Sequence, residues 1–512
     1  MDVPDRGREL YTVIQGESFP SNHPTLGLRQ GAFLEIMDIT GQTPLFANPF
    51  GAYSATSMEV LLKKIGNTPE YHEPVSLMEI IEAIKMVQGT LENFIEAGLE
   101  HPFVYAYCSL KGYALEEVKE QIRDLRSFVN SLEKDPDLIL GSLLNFRGGA
   151  DAFFQNHSVL KPFGIIASGN LGLYETVLLL YSGLLAIAAK NGHQFSCLIK
   201  PSSEDFLFYD LIFLIPEKFR GHFSRITWRS DLTWDQPLMI TFLNSLEGAI
   251  YFGKRKTLLE FRKQYNNLEN TNHHFYFDHF PLMIIGDQAN ADQIQSAARL
   301  AIPLCYKNKG EACLSLQDVF VHKKVYKDFI ESVRQEVSQI NRPSGISLLP
   351  RFSQDFLADV NNLRQWLIDS GATVSGRIGY EPNRMDLMLA YDLEMNHPVF
   401  ATENAAPFLA IASYSNEQNL IKALKDHLRP GDHDRTADKH IYSFVVGVRG
   451  TSPIICHAED YSHRLVHVIP GEGINKLETF QPYKPGVPHC GGFSFLGDMF
   501  GISHSHYCFV EK

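Results

Sequence analysis

Cys313 closes the run Asn308-Lys309-Gly310-Glu311-Ala312-Cys313, just past a glycine and after an apolar helical stretch. A cysteine nucleophile attacks as the thiolate, which nearby backbone N–H groups or positive charge favour. Lys307 and Lys309 stand close in sequence, and the neighbours of the thiol are small or polar. A cysteine buried in an apolar core is instead an inert small hydrophobe. The residues alone leave both readings open.

Other segments place polar side chains where apolar runs meet turns. Ile165-Ile166-Ala167 enters Ser168-Gly169-Asn170. Read alone, Asn170 forms the turn or caps a helix. Lys200-Pro201-Ser202-Ser203 follows a second apolar run, and read alone it is a surface turn. Tyr251-Phe252-Gly253-Lys254-Arg255 precedes a helix start. Two cations there can hold a phosphate or face solvent. Glu403 stands four residues before Pro407.

In this order, across roughly residues 160 to 512, these segments resemble aldehyde dehydrogenases. The octet at Asn308–Ser315 is similar to the catalytic Asn-x-Gly-Gln-x-Cys segment of that family, and Asn170 falls on the asparagine of its Pro-Trp-Asn. Lys200 matches Lys-Pro-x-Glu, with Ser203 on the acid. Gly253 matches Phe-Thr-Gly-Ser-Thr, with Lys254 on the first hydroxyl after the glycine. Glu403 matches Glu-x-Phe-Gly-Pro. Pro488-His489-Cys490-Gly491-Gly492 resembles a Pro-x-Gly-Gly turn, and Tyr507–Lys512 resembles a terminal strand that pairs across a subunit interface. The resemblance implies Cys313 as nucleophile, with Asn170 and the Cys313 backbone N–H holding the oxyanion. It implies Lys200, Ser203, Gly253, Lys254 and Glu403 around a dinucleotide. An acid at position 203 would repel a 2′-phosphate; the serine removes that repulsion, so NADP or NAD is expected. A homodimer or homotetramer is expected as well.

The resemblance breaks at the general base. Phe275 falls on the family's glutamate, in His274-Phe275-Tyr276-Phe277-Asp278-His279. Without that base, hydrolysis of an acyl-enzyme by water is expected to be slow. Two ways forward stay open. The acyl acceptor can be a thiol such as CoA, with the reverse reaction reducing an acyl thioester. Alternatively Asp278 or His279 supplies the base. His273, His274 and His279 lack the cysteine or carboxylate partners of a tetrahedral metal set, so no metal is expected. A different class is also open: a catalytically degenerate homologue that binds a nucleotide or a partner protein, which the replacements at Ser168, Gly169, Ser203, Lys254 and Phe275 favour.

Positioning these residues takes strands feeding turns and helices. Helices are expected from Ser76, where Ser76 and Glu79 form a capping box, and over Leu115–Leu132. Strand-and-turn segments at Lys161–Ala167, Ser196–Pro201, Ala249–Gly253, Leu282–Gly286, Val319–Val321 and Phe408–Ala412 alternate with helical stretches, the long apolar Val177–Lys190 among them. Such alternation predicts a doubly wound α/β fold. The expected architecture is aldehyde dehydrogenase-like: a Rossmann-type dinucleotide-binding domain (76–145 and 161–272), an α/β catalytic domain (273–475), oligomerisation strands in 146–160 and 476–512, and an irregular N-terminal extension (1–75).

Composition narrows the partners. A chain of 512 residues with 44% hydrophobic and 21% charged residues has an ordinary globular balance. Its net charge of −13 argues against electrostatic binding of nucleic acid. No apolar run is long enough for a membrane span, and the N-terminus lacks a signal-peptide layout. Seven scattered cysteines do not suggest disulfides, so a reducing cytoplasm is expected. The partners expected are a small aldehyde or an acyl thioester, with CoA as the candidate thiol.

Overall fold

Short apolar runs become strands and the longer periodic stretches become helices, in alternation along most of the chain. The computed structural model describes residues 75–136, 150–189, 192–202, 205–227, 236–253, 272–276, 279–311, 315–340, 350–380, 383–402, 404–428, 440–448, 452–454, 465–469, 499 and 508–510. It also describes 8–9, 12–14, 17–19, 33–39, 44–49, 59, 61–63 and 65. The chain divides into two compact units. The first comprises Met1–Leu110, Leu115–Tyr276 and Tyr483–His504; the second comprises Lys111–Ala114, Phe277–Pro482 and Ser505–Lys512.

The expectation of an irregular N-terminal extension needs correction. Residues 1–75 contain the strands β1 (Arg8–Glu9), β2 (Thr12–Ile14), β3 (Glu17–Phe19), β4 (Phe33–Met37) and β5 (Pro44–Pro49). Pieces this short do not develop a legible two-residue alternation. β1, β5 and β4 make a small sheet of their own, whereas β2 and β3 extend the main sheet of the first unit.

That main sheet adds β6 (Phe163–Ile166), β7 (Cys197–Lys200), β8 (Phe223–Arg225), β9 (Gly248–Phe252) and β10 (His273–Tyr276). Its order is β10-β9-β6-β7-β8-β2-β3, parallel from β10 through β8. The helices of this unit include α1 (Leu77–Glu96), α2 (Pro102–Lys111), α3 (Leu115–Lys134), α4 (Ala150–Asn156) and α5 (Leu173–Ile187). Both hydrogen bonds of the capping box at Ser76 and Glu79 are present. Every residue of α5 is buried, as its unbroken apolar sequence requires. Its hydroxyls are satisfied locally: Ser182 Oγ donates to the Leu178 carbonyl at 2.9 Å and Tyr181 OH to that of Ile84 at 2.9 Å. The described part of 146–160 is not a strand. α4 puts Phe153 and Phe154 into the interior as adjacent residues, a pattern compatible with either period in so short a piece.

The second unit holds β11 (His279–Ile285), β12 (Asp318–His322), β13 (Thr373–Ser375), β14 (Ile378–Tyr380), β15 (Arg384–Met385), β16 (Met388–Leu393), β17 (Phe408–Tyr414), β18 (His440–Val446), β19 (Leu465–Ile469) and β20 (Cys508–Val510). Its main sheet runs β13-β16-β17-β12-β11-β18-β19-β20, parallel throughout except for the β13–β16 pair. A second set of helices, α6 (Ala291–Tyr306), α7 (Tyr326–Ile340), α8 (Gln354–Asp369) and α9 (Glu417–Leu428), connects these strands. Leu282, Phe320, Met388, Phe408 and Val445 from adjacent strands share one core with Leu357 and Leu367 of α8. The expected terminal strand is present as β20, and it pairs in parallel with β19 of its own chain.

Candidate functional site

In the first unit the parallel strands β9, β6 and β7 lie side by side, so their carboxyl ends form one edge. That edge gathers Ser168–Asn170 after β6, Lys200–Ser202 after β7 and Gly253 after β9. The Ala167 N–H donates to the Lys200 carbonyl at 3.0 Å, which ties the first two turns together. Gly169 lies so near Ser202 that a Cβ on it would come within 3.5 Å of Ser202 Oγ. The chain proceeds from β6 to β7 to β8 in one direction, then returns to the other side of β6 as β9. The strand order therefore reverses between β6 and β9, where open α/β sheets bind their ligands.

Lys200 keeps some exposed surface, yet burial pushes its ammonium from 10.5 down to about 8. Ser202 Oγ is buried without a hydrogen-bond partner among the described residues. A cation, an unused hydroxyl and a close backbone turn are the donor set that a ribose–phosphate chain needs.

Asn170 is exposed on the turn, and the Ser168 hydroxyl donates to its Oδ1. It is not the helix cap: the N-cap of α5 is Gly172, which has no side chain to offer. The cap comes from elsewhere in the unit. The Leu173 N–H donates to Tyr107 OH at 2.6 Å and to Gln121 Oε1 at 3.1 Å, and Tyr107 OH donates to the same Oε1 at 3.1 Å. Tyr107 and Gln121 are buried, on α2 and α3 respectively.

In the second unit the two segments of interest enter the amino ends of the neighbouring strands β12 and β17. α6 runs into a short 3-10 turn, Lys307–Gly310, in which Lys309 (φ 62) and Gly310 (φ 73) both adopt left-handed backbone. Glycine accepts that conformation freely; lysine does not. Lys309 is nonetheless buried there, its Nζ 3.4 Å from Glu311 Oε1 and 5.3 Å from the centre of the Phe352 ring. A Cβ on Gly310 would lie 2.2 Å from the carbonyl carbon and oxygen of Ala406, so only glycine fits against this backbone. Beyond the turn, Gln317 accepts the Asn404 N–H at 2.8 Å and donates Nε2 to the Asn404 carbonyl at 2.6 Å.

Cys313, Ser203, Lys254 and Glu403 lie outside the described residues, as does the side chain of Phe275. The residues that flank two of them are well placed in the fold. Gly310 and Gln317 bracket Cys313, and Asn404 and Ala406 follow Glu403, so the two segments are pinned to one another at both ends. Asn170, Lys200 and Gly253 share the one edge of the first unit. Sequence reasoning missed Gln317, Tyr107 and Gln121, whose roles come from contacts between distant segments. It also read Ser168 only as a lost proline. Among the described residues no helix is long and apolar enough to cross a membrane, and no group of His, Cys, Asp and Glu could hold a metal ion.

Residues 282–427 match the Aldehyde dehydrogenase family. No curated protein matches the chain in sequence. The fold is similar to that of a succinate-semialdehyde dehydrogenase from Burkholderia pseudomallei, at 14% identity over 92% of each chain with a TM-score of 0.66. An NADP dependent enzyme from E. coli is similar at 14% identity, again over 92% of each chain, with a TM-score of 0.66. A NAD-dependent benzaldehyde dehydrogenase from Corynebacterium glutamicum shares 13% identity over 92% of this chain and 96% of its own, with a TM-score of 0.62. At such identities the likeness shows the fold alone. The family match is confined to residues 282–427 of the second unit, and the fold is that of the aldehyde dehydrogenases to which the chain is similar.

Proposed function

We infer that the protein is an NAD(P)-dependent oxidoreductase of the aldehyde dehydrogenase type that interconverts an aldehyde and an acyl group through Cys313. One observation carries this reading. The segments holding Cys313 and Glu403 are fastened to each other by the Gly310–Ala406 approach and the Gln317–Asn404 clamp. The described backbone on either side of Cys313 is thereby anchored, which supports a nucleophile held in one place.

In the proposed mechanism the Cys313 thiolate adds to the aldehyde carbon, forming the C–S bond of a thiohemiacetal. The Asn170 amide and the Cys313 backbone N–H hold the negative oxygen. Lys200, Ser202, Ser203, Gly253, Lys254 and Glu403 would hold a dinucleotide. A nicotinamide held there would supply the hydride acceptor for the substrate carbon, and Cys313 would then carry the acyl group as a thioester. An incoming thiol then takes the acyl group and Cys313 leaves as thiolate. The family's general-base position falls on Phe275, in β10, whose backbone is in parallel register with Tyr251 of β9. A phenylalanine there cannot deprotonate water, which favours a thiol acceptor such as CoA and makes acyl-thioester reduction the reverse direction. The names of the similar structures, which include both NADP and NAD enzymes, support either cofactor.

A single-turnover assay tests this. The protein is mixed with NADP or NAD and with propanal, hexanal, benzaldehyde or succinic semialdehyde, with and without CoA. The expected result is a burst of reduced cofactor without CoA and sustained turnover with it. Sustained turnover without any thiol would rule out the thiol-acceptor reading. No burst with any aldehyde would favour a catalytically degenerate homologue, for which the replacement of the base by Phe275 already argues.

A further inference from the structure

We propose that Lys309 and Glu311 form a charge couple that sets the ionisation of the Cys313 thiol. The proposal rests on the reading of Cys313 as nucleophile given above.

The turn before Cys313 keeps a lysine in a costly place. Lys309 is only 4% exposed and holds φ 62. Lysine adopts that backbone conformation rarely, and a charged side chain tolerates such burial only when paired. The pairing comes from the bend itself. Side chains two apart on a regular helix face different ways. With Lys309 and Gly310 both left-handed, the Lys309 Nζ returns to 3.4 Å from Glu311 Oε1. It also lies 5.3 Å from the centre of the Phe352 ring, within reach of a cation–π attraction. That ring is a fixed wall: Phe352 is buried and stacked on Phe356 at 4.8 Å, and its N–H donates to the Asn383 carbonyl at 2.9 Å. Gly310, between the two charges, is held against the Ala406 backbone.

Stability does not explain the arrangement, because apolar residues of similar size often match or better a buried ion pair. Its position does offer an effect. Chain connectivity keeps the Cα of residue 311 within about 7 Å of that of Cys313, and the Cα of residue 309 within about 14 Å. Over such distances a charge in partly buried surroundings moves an ionisation. The ammonium favours the thiolate, the carboxylate opposes it, and each tempers the other. Where the resembled segment carries a glutamine, this chain carries Glu311, so the counter-charge is this chain's own. Other ionisable groups on the segments packed around the turn include Tyr306, Lys307, Arg351 beside Phe352, Glu403 before Ala406, and Asp386, which Arg377 engages at 2.9 Å. None of them changes in the variants below, so a difference between variants belongs to the couple.

The test follows the alkylation rate of Cys313 by iodoacetamide against pH, read by peptide mass analysis. It compares the wild-type protein with Lys309→Met, Glu311→Gln and the double variant, each checked for folding by its thermal midpoint. Lys309→Met leaves the carboxylate alone, so the midpoint of the rate profile is expected to rise by about 0.5–1 pH unit. Glu311→Gln leaves the ammonium alone, and the midpoint should fall by a similar amount. Well below the midpoint these are a loss and a gain of about 3- to 10-fold in rate, since the rate follows the thiolate fraction. The double variant should return close to wild type. A structural role alone would move both single variants in one direction. Single variants whose profiles shift the same way, or do not shift, would overturn the proposal. Glu311→Gln is isosteric with the native residue and decides alone if Lys309→Met does not fold, an unshifted or raised midpoint then overturning it. The burst of cofactor reduction separates the two readings. Unshifted profiles in an enzyme with a burst would overturn the couple and leave the nucleophile. Opposite shifts in a protein without a burst would support the couple and count against the nucleophile.

Discussion

Gln317 grips Asn404 by both of its backbone polar groups, accepting the N–H at 2.8 Å and donating to the carbonyl at 2.6 Å. A side-chain amide is the one group that can complement a peptide unit in this way. Replacing it with leucine leaves a donor and an acceptor unpaired beside a nearly buried position. Gln317→Leu is expected to cost about 2–3 kcal/mol of stability, read from urea unfolding. Because Asn404 adjoins Glu403, the same variant should weaken cofactor binding several-fold. An unchanged cofactor affinity would separate the clamp from the site.

Two glycines with positive φ give a paired test. Gly310 has φ 73 and its missing Cβ would sit 2.2 Å from the Ala406 backbone; Gly371 has φ 92 and nothing within 4 Å. Alanine at 371 should cost only backbone strain, roughly 1 kcal/mol. Alanine at 310 must add the displacement of a neighbouring backbone, so at least about 3 kcal/mol is expected, with loss of activity. Equal costs from the two unfolding curves would contradict the packing described here.

Lys200 links stability to pH. Its pKa falls from 10.5 to about 8 through burial, so the folded chain gives up this proton before the unfolded chain does. Below about pH 8 both forms hold the proton, and burying the charge costs the folded state on the order of 3 kcal/mol. Between about 8 and 10.5 the unfolded chain binds more protons, so this contribution to stability rises with pH. Lys200→Met removes the cost. The variant should exceed wild type in stability at pH 7, by a margin that shrinks by pH 9.5, while its affinity for NADP falls at both. A stability margin independent of pH would show that Lys200 is not the titrating group.

Thiol reactivity distinguishes Cys313 from its neighbours. Cys108, Cys197 and Cys305 are buried. Burial pushes the Cys108 thiol up to about 12 and the other two higher still, with Cys305 Sγ also 3.1 Å from the Phe408 carbonyl oxygen. Brief treatment with iodoacetamide at pH 7.5, followed by peptide mass analysis, should label Cys313 at least about tenfold faster than these three. Labelling of Cys313 at their rate would mark it as a structural thiol.

Much of the frame was legible in the residues. The segments Lys161–Ala167, Ser196–Pro201 and Phe408–Ala412 each hold a continuous apolar run because parallel strands are buried on both faces, and β6, β7 and β17 lie within or across them. α1 and α3 show plain helical periodicity. The N-terminal strands and α4 are too short for a period to be read. α8 hides its pattern differently, since it buries Leu357, Val360 and Leu367 while exposing Trp366 and Ile368. The site divides in the same way. Asn170, Lys200 and Gly253 stand out as polar or glycine residues at the ends of apolar runs. Gln317 and Gln121 carry no such mark, because what they do depends on a partner 87 residues away in one case and 52 in the other.

The role of Cys313 is tested most directly by looking for the acyl group on its sulfur. The protein is incubated with hexanal and oxidised cofactor in the absence of thiols, quenched in acid, digested and weighed peptide by peptide. The expected result is a hydroxylamine-sensitive hexanoyl adduct on the peptide containing Cys313, absent from Cys313→Ala and removed when CoA is added before the quench. Cofactor reduction without an adduct on that peptide, or at an undiminished rate in Cys313→Ala, would contradict it.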